Sequence, residues 1–415
     1  MNTRQNYTQR MNVFLLMSFS GIFRNGWRDI DNLCFFISMR RKKILFVIPE
    51  YSIGGTNTSL ANLLSLIDHE RYDISILSLY EDGTEHFKSL FRPYIIKKSL
   101  LYTLVHDNVV TRKFMGMFLK GKEKRSWEWI YRYEAWRISR NHHFDVVIAF
   151  QEGLATTFVT RLNAGRRIAW VQCDFPHSVC NRRIPSVIAT YLQYDEIVCV
   201  SKTTAENMRA YLSGVDVPVT FLYNTLNTEA IKQKGNAVRD CYTKGMFNIV
   251  SVGRLSSIKC FHLIPKMAAE IRAAAGNSFR WYIVGEGTDR KRIEEEVRKR
   301  DVGDCVVLLG AKDNPYLFLR EADLYVCTSE SESFSYTIAE AKILHTPVLS
   351  NNFPVAYEVL DDSTGWVMPN DGMPEMIIRL IHDENKCYSR VKESIASYVY
   401  DNQAILDKLY NMITV

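Results

Sequence analysis

The segment Asp323-Leu-Tyr-Val-Cys-Thr328, followed by Glu332-Ser-Phe-Ser-Tyr-Thr-Ile-Ala-Glu340, joins an apolar run to two carboxylates that stand eight positions apart. The apolar run is typical of a buried strand, and residues Tyr336 to Leu344 predict a helix. In an open parallel sheet, ligands bind at the loops that follow the carboxyl ends of the strands. The start of the next helix offers backbone N–H groups to an anion. The segment therefore predicts an α/β fold with an anion-binding loop.

Upstream of this segment, apolar runs alternate with helical segments. The runs predict buried strands at Ile44 to Ile48, Asp73 to Leu79, Phe144 to Ala149, Arg167 to Val171 and Glu196 to Val200. A glycine-containing loop after the first strand leads into a predicted helix from Thr58 to Leu66. This alternation predicts a parallel sheet that is covered by helices.

A second set of apolar runs follows the polar stretch Asn224 to Gly245, which we interpret as a linker. These runs predict strands at Phe247 to Val252, Phe279 to Val284, Cys305 to Leu309, Leu324 to Cys327 and Pro347 to Leu349. A chain of 415 residues is long for a single core. We therefore predict two doubly wound, Rossmann-like parallel-sheet domains, residues 41–225 and 226–394, with a cleft between them. Residues 395–415 are expected to form a helix that packs back on the first domain.

Residues 1–40 differ in character and are interpreted as an N-terminal extension. The apolar run Val13 to Phe23 is shorter than the roughly 20 residues that cross a bilayer, and no small-residue cleavage site follows it. Either Met39 is the true first residue or the extension is a short membrane-surface arm. The nine cysteines include no C-x-x-C pair, which indicates reduced thiols and a cytoplasmic protein.

The segment from Arg112 to Ile138 interleaves cationic and aromatic side chains, and the whole chain carries a mild net charge of +6. Such a pattern suits either the headgroup layer of an anionic membrane or a solvated basic helix face. The residues predicted for a peripheral membrane or acceptor surface are Lys120, Lys122, Lys124, Arg125 and Trp127. Stacking on single-stranded nucleic acid would use similar residues, but no other feature supports it, and no nucleic-acid partner is expected.

A second candidate site follows the first strand of the downstream half, at Val252-Gly-Arg-Leu-Ser-Ser-Ile-Lys259. Gly253 allows the backbone to approach a ligand closely. Arg254 offers a bidentate contact and Lys259 a point charge. Because this loop and the Glu332 loop leave the same sheet edge, the pair predicts a pyrophosphate site.

Several motifs together resemble the retaining family-4 glycosyltransferases of the GT-B fold. They are Gly253-Arg254-Leu255 with Lys259, Gly285-Glu-Gly287, Glu332 and Glu340 with seven residues between them, Gly54-Gly55, Val200-Ser201 and Tyr223-Asn224. The resemblance runs from residue 42 to about residue 390, with the motifs in the family's order. It implies transfer of a hexose-type sugar, with retention, from a nucleotide-diphosphate donor to a hydroxyl of a glycan or lipid-linked glycan. Cell-surface polysaccharide biosynthesis is the usual setting of the family.

The resemblance also implies a role for each matching residue. Arg254 and Lys259 would hold the diphosphate and stabilise the leaving group, and Glu332 would lie near the donor sugar. Glu340 would accept hydrogen bonds from the ribose hydroxyls. The remaining donor-binding positions are Gly54, Gly55, Gly253 and the backbone amides of Phe334 and Ser335. Fixed cations beside the diphosphate and a carboxylate beside the sugar match the charges that develop as the glycosyl–phosphate bond breaks.

The chain departs from the family at several positions near the expected donor. Gln172 stands where the family often has a histidine that faces the donor sugar; it can donate a hydrogen bond but cannot titrate. Ser333, Cys260 and Ser335 replace frequent glycines. These replacements constrain the loop backbones and bear on rate and donor identity more than on fold.

Other chemistries find little support. The D-x-D motif Asp29-Ile-Asp31 lies in the N-terminal extension, and no metal or other cofactor is expected because Arg254 and Lys259 would supply the positive charge. No G-x-G-x-x-G follows either domain's first strand, which argues against a nicotinamide enzyme. Two alternatives stay open: another enzyme on the same fold, such as an epimerase or inverting transferase, and a sugar-nucleotide-binding subunit with little or no activity. Gln172 is the best argument for the second.

Overall fold

Two parallel six-stranded sheets form the framework of the computed structural model of this chain. The structure describes residues 40–52, 54–103, 123–174, 184–237 and 241–414, and of residues 123–127 only the backbone. The N-terminal extension and two of the predicted surface residues, Lys120 and Lys122, lie outside the described residues. The side chains of Lys124, Arg125 and Trp127 do so too.

The first sheet contains strands β1 to β6. In chain order they are Lys42–Ile48, Tyr72–Ser78, Val146–Ala149, Arg166–Val171, Glu196–Cys199 and Val219–Phe221. Their order in the sheet is β2-β1-β3-β4-β5-β6, and every neighbouring pair is parallel. Residues 44–48 of β1 are fully buried because helices cover both faces, which explains why this strand is a continuous apolar run.

Helices α1 to α7 connect these strands. They are Gly55–Leu66, Glu85–Phe91, Leu100–Tyr102, Glu123–Asn141, Leu154–Val159, Pro185–Tyr191 and Lys202–Tyr211, with a short 3-10 turn at Arg92–Tyr94. None of the described helices is both long and apolar enough to cross a membrane.

The second sheet contains strands β7 to β12. They are Phe247–Val252, Phe279–Val284, Val306–Gly310, Leu324–Cys327, Val348–Ser350 and Gly365–Val367. Their order is β12-β11-β10-β7-β8-β9, again with all neighbours parallel. The chain moves outward from β7 in one direction and then returns to build the sheet on the other side, as in a doubly wound fold.

Helices α8 to α16 complete the fold. They are Thr228–Gly235, Ile264–Ala275, Arg290–Lys299, Tyr316–Glu321, Tyr336–Ile343, Pro354–Val359, Met373–Ile381, Cys387–Ile395 and Asn402–Thr414. Three 3-10 turns, Ser257–Lys259, Phe261–Leu263 and Glu384–Lys386, lie between them.

The predicted linker from Asn224 to Gly245 is not irregular throughout, because it contains helix α8. The side chain of Asn227 accepts a hydrogen bond from the amide of Ala230 and so caps the start of this helix. A Cβ atom at Gly235 would lie 2.6 Å from Cδ2 of Leu344, so the end of α8 packs tightly against the second domain. Ile231 is the one apolar side chain that this helix buries, so the segment lacks the apolar periodicity that predicts a helix.

The last helix, α16, packs against the first domain. The ring of Tyr410 stacks on that of Tyr72 with centroids 5.2 Å apart, and its hydroxyl accepts a hydrogen bond from the amide of Asp68 at 3.0 Å. The ammonium group of Lys42 donates to the carbonyl of Thr414 at 2.8 Å. These contacts tie the end of the chain to the sheet that begins it.

Candidate active site

The predicted site loops follow the strands at which each sheet reverses its winding. In the first sheet this point lies between β1 and β3, and the Gly54-Gly55 loop follows β1. In the second sheet it lies between β7 and β10, and the Lys259 and Glu332 loops follow these two strands. Ligands of doubly wound sheets bind at such switch points, beyond the carboxyl ends of the strands. The topology therefore directs both switch points toward one cleft.

A cavity of about 280 Å³ occupies this cleft. Both domains contribute to its wall, which is lined by Gly55, Thr56, Gln172, Asn224, Lys259, Glu332, Ser333, Phe334, Ser335, Tyr336 and Thr337. Six of the residues predicted from the sequence are therefore brought together: Gly55, Gln172, Lys259, Glu332, Phe334 and Ser335. We call this the donor cavity, after the donor site that the resemblance predicts at these residues.

Two helices begin at the wall of the donor cavity, one from each domain. Helix α1 begins at Gly55, directly after Gly54, and helix α12 begins at Tyr336. The first N–H groups of a helix have no carbonyl partner within it, and the helix dipole adds partial positive charge there. A Cβ atom at Gly55 would lie 3.3 Å from Cε2 of Tyr336, so the two helix starts approach closely. The arrangement suits an anion such as a diphosphate.

Lys259 and Glu332 face each other across the second-domain side of the donor cavity. The ammonium group of Lys259 donates a hydrogen bond to Oε1 of Glu332, and the hydroxyl of Ser329 donates to the same oxygen at 2.7 Å. Both members of the ion pair are mostly buried, with 26% and 15% of their side chains exposed. Thr328 donates to the carbonyl of Lys259 at 2.7 Å and so fixes the turn that carries the cation.

A set of amide side chains holds the loop that precedes Glu332. The Asn351 side chain donates to the carbonyl of Ser329 at 2.9 Å, and its oxygen accepts from the amide of Asn370 at 3.1 Å. The Asn370 side chain donates to the carbonyl of Thr328 at 3.0 Å. Three strand ends are thereby joined, and the position of Glu332 depends on residues that follow β10, β11 and β12.

Gln172 reaches the donor cavity from the end of β4. Its backbone amide donates to Oε2 of Glu152 at 3.0 Å, whereas its side-chain nitrogen Nε2 is buried and has no hydrogen-bond partner among the described residues. A buried amide without a partner costs free energy unless a ligand or water satisfies it. Its position in the wall of the cavity is compatible with the sugar contact that the resemblance implies for it.

Glu340 lies on helix α12, next to the donor cavity but not among the residues that line it. The hydroxyl of Tyr316 donates to its Oε1 at 3.2 Å. Burial raises the pKa of Glu340 to about 7, and the hydrogen bond from Tyr316 acts in the opposite direction. The carboxylate therefore has one partner side chain and capacity to accept further hydrogen bonds, as a ribose would offer.

Gly253 and Arg254 lie on the loop after β7, outside the set of described residues that line the donor cavity. Arg254 is exposed. The loop is held against the loop after β8, because Leu255 donates to the carbonyl of Glu286 at 2.9 Å. A Cβ atom at Gly285 would lie 1.8 Å from the carbonyl oxygen of Gly253, and only glycine permits that approach. The Gly285-Glu-Gly287 motif thus supports the loop that carries Arg254.

Two of the positions where the chain departs from the family have left-handed backbone conformations. Cys260 has φ 54° and Ser335 has φ 62°. Glycine adopts this region without a steric penalty, whereas other residues pay for the proximity of Cβ to the backbone. The two replacements predicted to constrain the loops therefore fall on positions whose geometry favours glycine.

Several contributors to the site were not singled out from the sequence. Thr56, Tyr336 and Thr337 line the donor cavity, Ser329 binds Glu332, and Tyr316 binds Glu340. The start of helix α12 could have indicated Tyr336 and Thr337, because they follow the predicted loop directly. Tyr316 comes from a different helix, and nothing in its local sequence indicates its contact.

Glu358, on helix α13, links the two domains beside the cleft. Its carboxylate accepts hydrogen bonds from the amides of Lys202 and Thr203, at 2.8 and 2.7 Å, and from the hydroxyl of Tyr223 at 3.1 Å. Lys202 and Thr203 form the first turn of α7, where a negative charge is favoured by the helix dipole. The contact holds the second domain against the first in this arrangement.

Within the part of the chain that the structure describes, no group of three or more His, Cys, Asp or Glu side chains is arranged to hold a metal ion. The charges that face the donor cavity are those of Lys259 and Glu332.

Known proteins resemble this chain in sequence over part of its length. Residues 243–396 match the family of glycosyl transferases group 1. The O-antigen biosynthesis glycosyltransferase WclY of Escherichia coli is 26% identical over 174 residues, which cover 41% of this chain and 47% of WclY. An undecaprenol-linked glycan 4-alpha-N-acetylgalactosaminyltransferase of Campylobacter jejuni is 28% identical over 165 residues, 40% of this chain and 43% of that enzyme. The chain thus matches less than half the length of these relatives.

The structural likeness covers far more of the chain than the sequence likeness. HepE of Anabaena, whose crystal structure is a complex with UDP, aligns over 90% of this chain and 99% of its own, with a TM-score of 0.66 and 14% identity. The fold is GT-B, as the sequence predicted.

Proposed function

We propose that this chain is a retaining glycosyltransferase that transfers a hexose-type sugar from a nucleoside-diphosphate donor to a hydroxyl group. One observation carries the proposal. Two helix starts, one from each domain, and the Lys259–Glu332 pair converge on a single cavity at the switch points of both sheets. The match to glycosyl transferases group 1 supports the reaction class.

The diphosphate would lie between the starts of α1 and α12. Backbone amides at Gly55 and Tyr336 would donate to its oxygens, and Lys259 would exchange Glu332 for the phosphate nearest the sugar. Arg254 would approach from the exposed loop after β7 as the cleft fills. Together these groups stabilise the negative charge that develops on the leaving group, in a site where water is largely excluded.

The donor sugar would lie between Glu332 and Gln172. Glu332, once released from Lys259, would stabilise positive charge on the sugar ring, and Gln172 would donate to a hydroxyl. Retention follows if the leaving phosphate takes the acceptor's proton on the same face of the sugar, a route that needs no protein nucleophile. Glu340 would accept hydrogen bonds from the ribose, and we propose no metal, since Lys259 and Arg254 supply the positive charge.

The acceptor would be a glycan or a lipid-linked glycan in cell-surface polysaccharide biosynthesis. The names of the two relatives support this class, because one acts in O-antigen biosynthesis and the other on a diphospho-undecaprenol-linked sugar. Attachment to the inner face of the membrane stays a prediction, since Lys120 and Lys122 lie outside the described residues.

Thermal unfolding in the presence of a panel of nucleotide sugars tests the donor assignment. A ligand that binds only the folded chain stabilises it by about 2.7 kcal/mol at a concentration of 100 times its Kd. We expect one nucleoside diphosphate and its sugar to raise the Tm, with and without EDTA. Binding without any turnover would identify a sugar-nucleotide-binding subunit instead, and no shift with any member of the panel would contradict the proposal.

A further inference from the structure

A second concave site lies on the first domain, between helix α4 and the segments that lead into β4 and β5. It is a groove of about 780 Å³, and we call it the α4 groove. Arg132, Trp136 and Arg140 line it from α4, and Arg161 and Asn163 line it from the opposite side. Arg132 and Trp136 belong to the basic and aromatic segment from Arg112 to Ile138. The proposed donor chemistry does not involve this segment.

The α4 groove lies at the amino ends of the strands of the first sheet, and the donor cavity lies at their carboxyl ends. Arg140 is in the last turn of α4 before β3, and Arg161 and Asn163 immediately precede β4. Gln172, which lines the donor cavity, follows the end of β4. A strand of six residues spans about 20 Å, so a ligand in the α4 groove does not touch the reacting groups.

The charge of the α4 groove is positive. Arg161 forms a two-pronged ion pair with Glu128, with one hydrogen bond of 3.0 Å, and Arg132 lies 3.4 Å from the same carboxylate. The groove is lined by three guanidinium groups, those of Arg132, Arg140 and Arg161, and by one carboxylate, Glu128, which Arg161 and Arg132 already neutralise. Guanidinium groups bind carboxylates and phosphates through paired hydrogen bonds.

Trp136 adds a flat aromatic surface to these charges. Its side chain is 54% exposed although it sits on a helix whose other face is packed in the core. The guanidinium carbon of Arg140 lies 5.4 Å from the centroid of its ring. The face of an indole carries partial negative charge and attracts the weakly positive C–H face of a sugar ring. A stacking surface beside cationic hydrogen-bond donors matches a sugar that bears acidic groups.

We propose that the α4 groove binds an acidic saccharide, one that carries carboxylate or phosphate groups, at a site separate from the donor cavity. Polar groups complete the match. Ser139, Asn163 and Gln193 line the groove beside the guanidinium groups and suit sugar hydroxyls. The hydroxyl of Ser139 accepts a hydrogen bond from the amide of Asn163 at 3.0 Å and joins the two walls. These amide and hydroxyl side chains match the hydroxyls of a sugar better than the phosphates of a bilayer surface, which favours a saccharide over a membrane.

Isothermal titration with tetragalacturonate tests the proposal on the full chain, with neutral maltotetraose as the matched ligand. We expect binding of the acidic tetrasaccharide and weaker binding of the neutral one. The substitutions Trp136→Ala and Arg140→Gln should each lower the affinity about tenfold, the scale of a lost aromatic or charge-assisted contact. Tyr357→Ala and Arg298→Gln, at exposed positions on the second domain, should leave it unchanged.

The measurement does not depend on turnover. Glu332→Gln should retain full saccharide binding, so failure of the proposed transferase activity and failure of this proposal are distinguishable. Equal binding of both tetrasaccharides, equal binding by the groove variants and the wild type, or no binding at millimolar concentration would each overturn it. Binding to phosphatidylglycerol vesicles that Trp136→Ala abolishes, without saccharide binding, would overturn it in favour of a membrane surface.

Discussion

Lys259 donates a hydrogen bond to Oε1 of Glu332, so a cation and a carboxylate of the donor cavity neutralise each other. A diphosphate that reaches Lys259 competes directly with Glu332. Binding of the donor would therefore release the carboxylate beside the sugar at the same time as it supplies a counter-charge to the cation. In the proposed function, the pair would therefore couple donor binding to the release of Glu332.

Lys259→Ala is expected to lower turnover more than it weakens nucleotide binding. The helix starts still bind the diphosphate, but the leaving group loses a fixed charge, and loss of such a group costs about 10²–10³ in kcat. Steady-state kinetics and a nucleotide titration separate the two effects. Lys266→Ala, at an exposed position of helix α9, is the control. An unchanged kcat for Lys259→Ala would remove this residue from the site.

Gly54 and Gly55 should respond differently to the same substitution. A Cβ atom at Gly55 would meet the ring of Tyr336 at 3.3 Å, whereas one at Gly54 meets nothing within 4 Å. Gly54 also has extended backbone angles that alanine can adopt. We expect Gly55→Ala to weaken nucleotide binding severalfold, because it separates the two helix starts, and Gly54→Ala to leave it nearly unchanged. The reverse order in a titration would contradict this account of the diphosphate site.

Ser335→Gly is expected to stabilise the chain by about 1 kcal/mol, because glycine removes the left-handed strain at φ 62°. The Ser335 side chain makes no capping hydrogen bond to helix α12, so little is lost in exchange. Urea unfolding of the two proteins measures the difference. Ser335→Ala keeps the Cβ atom and should give no gain; a gain as large as that of the glycine variant would point to a different cause.

Glu340 should make nucleotide binding depend on pH near neutrality. Burial raises its pKa to about 7, and ribose hydroxyls donate more strongly to the ionised form. Affinity should therefore fall as the pH drops below 7 and level off above it. Glu340→Gln should bind more weakly at pH 8 and lose this dependence. Nucleotide titrations of both proteins at pH 6 and pH 8 test this prediction. An unchanged pH dependence in Glu340→Gln would contradict the assignment of the effect to Glu340.

The same pKa has a consequence for stability that is independent of any ligand. In the unfolded chain the carboxyl ionises near pH 4.5, and in the folded chain near pH 7. As the pH rises between these values, the folded state retains a proton that the unfolded state has lost, and stability falls. Glu340→Gln should therefore be more stable than the wild type at pH 8 and show a smaller gain at pH 5.

Glu358→Ala should loosen the contact between the domains. The variant loses the acceptor for two backbone amides of α7 and for the Tyr223 hydroxyl, all on the first domain. Small-angle X-ray scattering should show a larger radius of gyration, and kcat/KM should fall because the two halves of the donor cavity come together less often. Glu375→Ala, exposed on the second domain, is the control. Identical scattering from Glu358→Ala and the wild type would contradict this role.

Much of the fold could be predicted because strands buried on both faces must be apolar throughout. Strands β7, β8 and β10 have the same bounds as the predicted apolar runs. Each of the other predicted runs overlaps one observed strand. Strands β6 and β12 are not predicted by the sequence, since strands of three residues that are mostly half-buried carry little signal. Both are edge strands, which pair with a neighbouring strand on one side only.

The site was less predictable than the fold, because it depends on contacts between distant parts of the chain. The Glu332 loop could be located from a strand followed by a helix, but its ion pair with Lys259 joins residues 73 positions apart. Glu358 contacts Lys202, Thr203 and Tyr223, and Tyr316 contacts Glu340. No local sequence pattern predicts these contacts. The left-handed conformations of Cys260 and Ser335 could be anticipated only because the resembling family has glycine there.

The most direct test of the central claim is proton NMR of the chain with an α-linked nucleoside-diphosphate sugar and a polysaccharide-derived acceptor. We predict release of the nucleoside diphosphate together with a new α-anomeric proton signal, and a rate about 10²–10³ lower for both in Lys259→Ala. A β-anomeric product would contradict retention. An unaltered donor spectrum across the whole panel of nucleotide sugars, with no binding detected, would contradict the assignment of the donor cavity itself.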